Sequence, residues 1–140
     1  MLYGPILSWV AAQVLKTIYT KITTGKFVAA RLVGPGGMPS SHAAMMAALT
    51  IVVARKYGVS GPWFTICMVL SFIVMYDAMG VRWHAGEHAR LINRLFEILT
   101  EGKSDPEEYQ KLQEVLGHKP LEVFVGAALG ILIGFLAPVA

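Results

Sequence analysis

The sequence predicts an all-α, integral membrane helical bundle of about four transmembrane helices plus two amphipathic helices, with residues 1–140 as a single domain. Three observations predict it. Hydrophobic residues make up 55% of the chain and charged residues only 15%, against about 25% in a soluble domain. Mean hydropathy is +0.56. The charges are clustered, so long apolar runs separate them. A net charge of +3, with no basic stripe interleaved with aromatics, argues against nucleic acid as a partner. The one cysteine, Cys67, lies inside an apolar run, which leaves no disulfide framework and no cysteine metal site. The N-terminus lacks a basic leader and a cleavage pattern, so its apolar stretch is expected to be retained.

Taken in order, Leu2 to about Ile22 reads as a first helix, about 30 Å long and so about one hydrocarbon thickness. It carries Gln13 and Lys16 on one face with Thr17 and Thr20 beside them; Lys16 either snorkels to the headgroups or points into a polar pocket. A basic, glycine-rich connection with Lys26 and Arg31 follows. The second helix, about Ser40 to Lys56, is dense in alanine and methionine, a composition that packs against neighbours rather than facing lipid all round. Tyr57 to Pro62 is a turn, and the third helix runs from about Pro62 to Met79. Over residues 82–101, Ala85, Ala89, Ile92, Phe96 and Leu99 recur at helical spacing, with Glu87, Arg90, Arg94, Glu97 and Glu101 around the other face. That is an amphipathic helix. Ser104-Asp105-Pro106-Glu107-Glu108 starts a short polar helix expected to stop at Gly117. Pro120 to about Pro138 is the last membrane helix, with Gly126, Gly130 and Gly134 every four residues; such a strip serves either self-association or packing within the chain.

If the first, second, third and last helices cross the bilayer, the loop before Ser40, the segment around Arg82 and the start of the last helix share one side. That side holds ten of the twelve Lys and Arg residues, which places it in the cytoplasm and both termini outside. Chemistry-bearing residues gather there. Gly34-Pro35-Gly36-Gly37-Met38-Pro39-Ser40-Ser41-His42 is a glycine-rich loop entering a helix, where backbone N–H groups and the helix dipole favour an anion. Ser40 and Ser41 either cap that helix or bind phosphate oxygens. His118 precedes Glu122 by four residues, so on one helical face the carboxylate can hold Nδ1–H and leave Nε2 as nucleophile or base. Arg82 either binds phosphate through its planar fork or anchors the interface by pairing with Asp77. Together these are the parts for phosphoryl transfer through a phosphohistidine. His84-Ala85-Gly86-Glu87-His88 fits an inverted zinc-peptidase pattern, but the match is short, lacks a third ligand and has Gly86 in its helix.

Three stretches carry a family resemblance: Gly36-Gly37-Met38-Pro39-Ser40-Ser41-His42, Tyr76-Asp77-Ala78-Met79-Gly80-Val81-Arg82 and Leu116-Gly117-His118-Lys119-Pro120-Leu121-Glu122-Val123. They resemble the small divergent branch of the type 2 phosphatidic acid phosphatases, which are relatives of the vanadium-dependent haloperoxidases. The resemblance implies a membrane lipid phosphatase acting on a lipid phosphomonoester or pyrophosphate, with no cofactor and no metal. His118 would be the nucleophile, Glu122 would orient it where the family usually has Asp, and His42 would protonate the leaving alkoxide. Arg82, Ser40, Ser41 and the Gly37 backbone would bind the equatorial oxygens. The family's first motif is absent, and Lys16, Lys21, Lys26 and Arg31 are candidates for its phosphate-binding role. The usual Gly of the second motif is Ser41, and 35 residues separate Arg82 from His118 where the parent family has five. The other reading is a non-catalytic protein that binds or moves phospholipid headgroups at the same anion site.

Overall fold

The computed structural model describes residues 1–25, 36–99, 111–114 and 117–139, and among them every regular element is helical. They are α1 (Tyr3–Thr24), α2 (Ser41–Tyr57), α3 (Pro62–Met79), α4 (Val81–Leu99) and α5 (Pro120–Leu136). Each begins and ends within about two residues of where apolar periodicity and turn residues put it. Lys26, Arg31 and the 104–108 helix start lie outside the described residues.

Helix α2 is the hub. Its alanines let neighbours approach closely: Ala43, Ala44, Ala47 and Ala48 are all buried. Against it α1 runs antiparallel, with Gly4 beside Val52 and the Ser8 hydroxyl donating to the Ala44 carbonyl at 3.1 Å. On another side α3 is tied by Thr50 and Ser71, whose hydroxyls lie 2.8 Å apart. Helix α5 runs parallel to α2, and its glycine strip is the contact. A Cβ on Gly126 would strike the Ser40 backbone, one on Gly130 the Ala44 backbone, and one on Gly134 the Ile51 side chain at 2.8 Å. The strip therefore serves packing inside the chain. At the far end Arg55 donates to the carbonyls of Gly134 (2.8 Å) and Ala137 (2.6 Å), satisfying acceptors that the C-terminus of α5 leaves open.

Helices α3 and α4 follow one another with only Gly80 between them, and the combined stretch Pro62–Leu99 is long and apolar enough to cross a membrane. It is the one such stretch among the described residues; α5 is as apolar but shorter, at 17 residues. Only Ser71 and Ala78 of α3 are buried, while Trp63, Ile66, Val69, Phe72, Ile73 and Tyr76 lie exposed. A helix that is apolar all round and mostly uncovered fits lipid rather than water.

One expected element does not extend as far as predicted. The described residues 111–114 form no helix, so the short polar helix does not run on to Gly117. The reason is Asn93 of α4, buried with its amide bonded to both backbone groups of Leu112: Nδ2 donates to the Leu112 carbonyl (2.9 Å) and Oδ1 accepts from its N–H (3.0 Å). Backbone groups held this way are taken from any helical ladder.

Candidate functional site

The site forms where α2 begins, α3 ends and α5 begins. Ser40 caps α2: its hydroxyl accepts from the Ala43 N–H at 3.4 Å, and its own N–H donates to the Glu122 carbonyl at 2.9 Å. Of the two roles open to Ser40, the structure shows capping, with the side chain fully buried. Ser41 is buried as well. Gly36 and Gly37 both have φ in the left-handed region, at 77° and 83°, which glycine alone adopts without strain. His42, in the first turn of α2, is half-buried.

The helix break at Gly80 does the rest. Across it the turn closes through Gly80 N–H to Tyr76 (2.8 Å) and His84 N–H to Gly80 (3.0 Å), while the Ala78 carbonyl accepts from the His118 N–H at 3.0 Å. Gly117 lies against the backbone of Trp83, too close for any side chain. The segment entering α5 is thus fastened across the α3–α4 junction, bringing His118 to the level of Arg82. His118 is 3% exposed, and its Nδ1 is 2.9 Å from Glu122 Oε2. The same carboxylate oxygen accepts from the Lys119 N–H at 3.3 Å. With the ring proton on Nδ1, Nε2 is the basic nitrogen. The rings of His42 and His118 have centroids 6.5 Å apart and planes at 65°.

Arg82 is half-exposed and pairs with Asp77, Nε to Oδ2 at 2.5 Å. The anchoring pair anticipated from sequence is therefore present, and the two terminal guanidinium nitrogens carry four further donors. Arg82, His118, Lys16 and Asp77 all lie within electrostatic reach of His42. Lys16 is 1% exposed, which decides between its two sequence readings: it points into the protein. One turn away on α1, Gln13 is buried with Oε1 lacking a partner among the described residues. The geometry therefore brings His42, His118, Glu122, Arg82 and Lys16 to one end of the bundle, with Gly37 at its rim. On the Glu122 side a cavity of about 190 Å³ is lined by Gly37, Trp83, Glu87, Arg90, Glu114 and Lys119 among others. Asn93 is the residue that sequence reasoning misses, because a single Asn in an amphipathic helix gives no signal; Asp77, at the polar end of an apolar helix, is legible as the partner of Arg82. His84 and His88 are exposed on α4, and among the described residues no group of three or more metal-ligating side chains forms.

Beneath the site lies a small apolar core of Ala43, Ala78 and Val123, with Met75, Met79 and Ala127 packed on it. Each of the first three follows a polar residue of the site, namely His42, Asp77 and Glu122.

Residues 1–133 match the family described as the Divergent PAP2 family. The chain is 40% identical over 142 residues to the Uncharacterized membrane protein YuiD of Bacillus subtilis (strain 168), covering 92% of this chain and 90% of that protein. No solved structure matches it. With an uncovered apolar helix and a membrane protein for a relative, it is a membrane protein, and it belongs to the divergent PAP2 family.

Proposed function

We propose that the protein is a lipid phosphate phosphatase whose α1, α2, α3 and α5 cross the bilayer, with the site at the cytoplasmic edge. The observation that carries the reading is the pairing of His118 with Glu122 at 2.9 Å, with a second imidazole 6.5 Å away, centroid to centroid. In the scheme, Nε2 of His118 attacks the phosphorus of a lipid phosphomonoester or pyrophosphate, and the P–O bond to the lipid breaks. His42 gives the departing oxygen its proton. Water then attacks the phosphohistidine, His42 takes up a proton, and inorganic phosphate leaves with His118 restored. Arg82, held by Asp77, supplies donors to the equatorial oxygens, and Lys16 adds charge from α1. Excess Lys and Arg at this end supports the cytoplasmic side.

A second reading is non-catalytic binding or translocation of phospholipid headgroups. It is favoured by the burial of His118 and Ser40, which leaves Arg82 and the Gly37 loop as the accessible parts. Phosphate release by detergent-purified protein from phosphatidic acid, phosphatidylglycerophosphate and polyprenyl pyrophosphate separates the two. His118→Ala should abolish turnover while lipid binding persists. Turnover that survives His118→Ala would remove the phosphohistidine scheme, and no turnover on any substrate would favour the binding reading.

A further inference from the structure

We infer that the groove between α3 and α5 holds the hydrocarbon chain of an anionic single-headed lipid whose phosphate sits at Arg82. The groove has a volume of about 750 Å³ and is lined by Phe72, Met75, Tyr76, Val123, Phe124 and Ala127, with Asp77 and Val81 at its polar end. The groove is open along one side and lined almost wholly by apolar atoms, so its occupant enters from the surrounding lipid. It exists because α3 and α5 each pack on α2 and barely on one another, leaving a furrow floored by the small apolar core under the site.

Three features select the occupant. Charge is the first: Asp77 lines the polar end of the groove and its carboxylate is paired with Arg82, so the head of a ligand that is apolar along the groove would reach the free donors of that guanidinium just beyond the lining. An amphiphile with an anionic head satisfies both. Depth is the second. From Phe72 to Met79 α3 advances about 10 Å, roughly a third of a hydrocarbon core about 30 Å thick. One chain of a lipid in the adjoining leaflet has that reach. Continuity is the third: Val123 follows Glu122, and Ala78, whose carbonyl holds the His118 N–H, follows Asp77, so groove and site share a wall. A smaller cavity of about 150 Å³ shares Phe72, Met75 and Ala127 and extends the furrow toward Ile131. Methionines such as Met75 let one furrow fit chains of differing shape.

The head-group half of this inference rests on the phosphatase reading of the site; the chain half does not. The test uses full-length protein in lipid nanodiscs and dodecyl phosphate carrying a diazirine in mid-chain. After illumination, adducts are mapped by mass spectrometry. The expected result is adducts on Phe72–Met79 and Phe124–Ala127, lost on competition with unlabelled dodecyl phosphate and lost in Ala127→Phe, which plugs the furrow. Adducts spread over the other exposed faces, such as Leu7 and Leu132, overturn the inference, as does cross-linking of one copy to another through the groove. If Ala127→Phe does not fold, the competed adduct map of the unaltered protein decides alone. Groove adducts without phosphate release from any substrate would sink the phosphatase reading and leave the groove standing. Phosphate release with adducts elsewhere would do the reverse.

Discussion

At the scale of single residues, the site depends on Glu122 having two tasks. Its carboxylate holds His118 Nδ1 at 2.9 Å and takes the Lys119 N–H at 3.3 Å, so one side chain both orients the imidazole and fixes the first turn of α5. In the proposed scheme that negative charge also offsets the positive charge that builds on the ring as Nε2 attacks phosphorus. Glu122→Gln keeps the shape and removes the charge. It should lower kcat by about a hundredfold with KM little changed, whereas Glu122→Asp should keep part of the activity. Arg82→Lys should show the opposite split: the charge stays, the fork that serves both Asp77 and a phosphate is lost, and KM rises more than kcat falls. Steady-state kinetics on one lipid phosphate distinguish these patterns. Equal losses in kcat for all three variants would mean that they act by disturbing the fold.

At the scale of elements, the α2–α5 contact sets the distance between the two histidines, because Ser40 and Glu122 are joined across it by a hydrogen bond of 2.9 Å. Gly130 is the middle of that contact, and any side chain there meets the Ala44 backbone, which cannot step aside as a flexible side chain would. Gly130→Leu should therefore cost about 3 kcal/mol or more. Ala128→Leu, on an exposed face of the same helix, should leave the melting temperature nearly unchanged. Thermal unfolding in detergent compares the two; similar losses would mean that α5 is not seated on α2 through its glycines. The strip itself was legible in the sequence as a four-residue repeat, and so was the His118–Glu122 pair, because both depend on spacing along one helix. Spacing between helices is not written that way. The partner of the glycine strip, the Ala78 carbonyl that takes the His118 N–H, and the hold of Asn93 on Leu112 all depend on how separate elements pack together. The break itself was legible, since the third helix was expected to end at Met79; what lies opposite it was not. The expected helix to Gly117 failed for the same reason: its local propensity was outweighed by a distant side chain bonded to the backbone of Leu112.

At the scale of the whole molecule, the helices separate two ends of unlike chemistry. One end gathers His42, His118, Glu122, Asp77, Arg82 and Lys16; at the other, Gly4 packs on Val52 and Ala137 while Arg55 closes the C-terminus of α5. The order follows from α1 and α3 running opposite to α2 and α5, which is the parity that four crossings require. If α1, α2, α3 and α5 do cross, positions at the two ends face different compartments. Replacing Cys67 by Ser leaves a chain with no cysteine, into which single cysteines can be placed at Tyr57, Glu87 and Lys119. Position 57 ends α2 and should react with a membrane-impermeant thiol reagent in intact cells. Positions 87 and 119, beside the site, should react only after the membrane is opened. Labelling of 57 and 87 from the same side would mean that α3 does not cross, and the convergence at the site would then lie on a surface helix rather than at the edge of a bilayer. Labelling of all three with the sides exchanged would keep the four crossings and move the phosphate chemistry to the outer face.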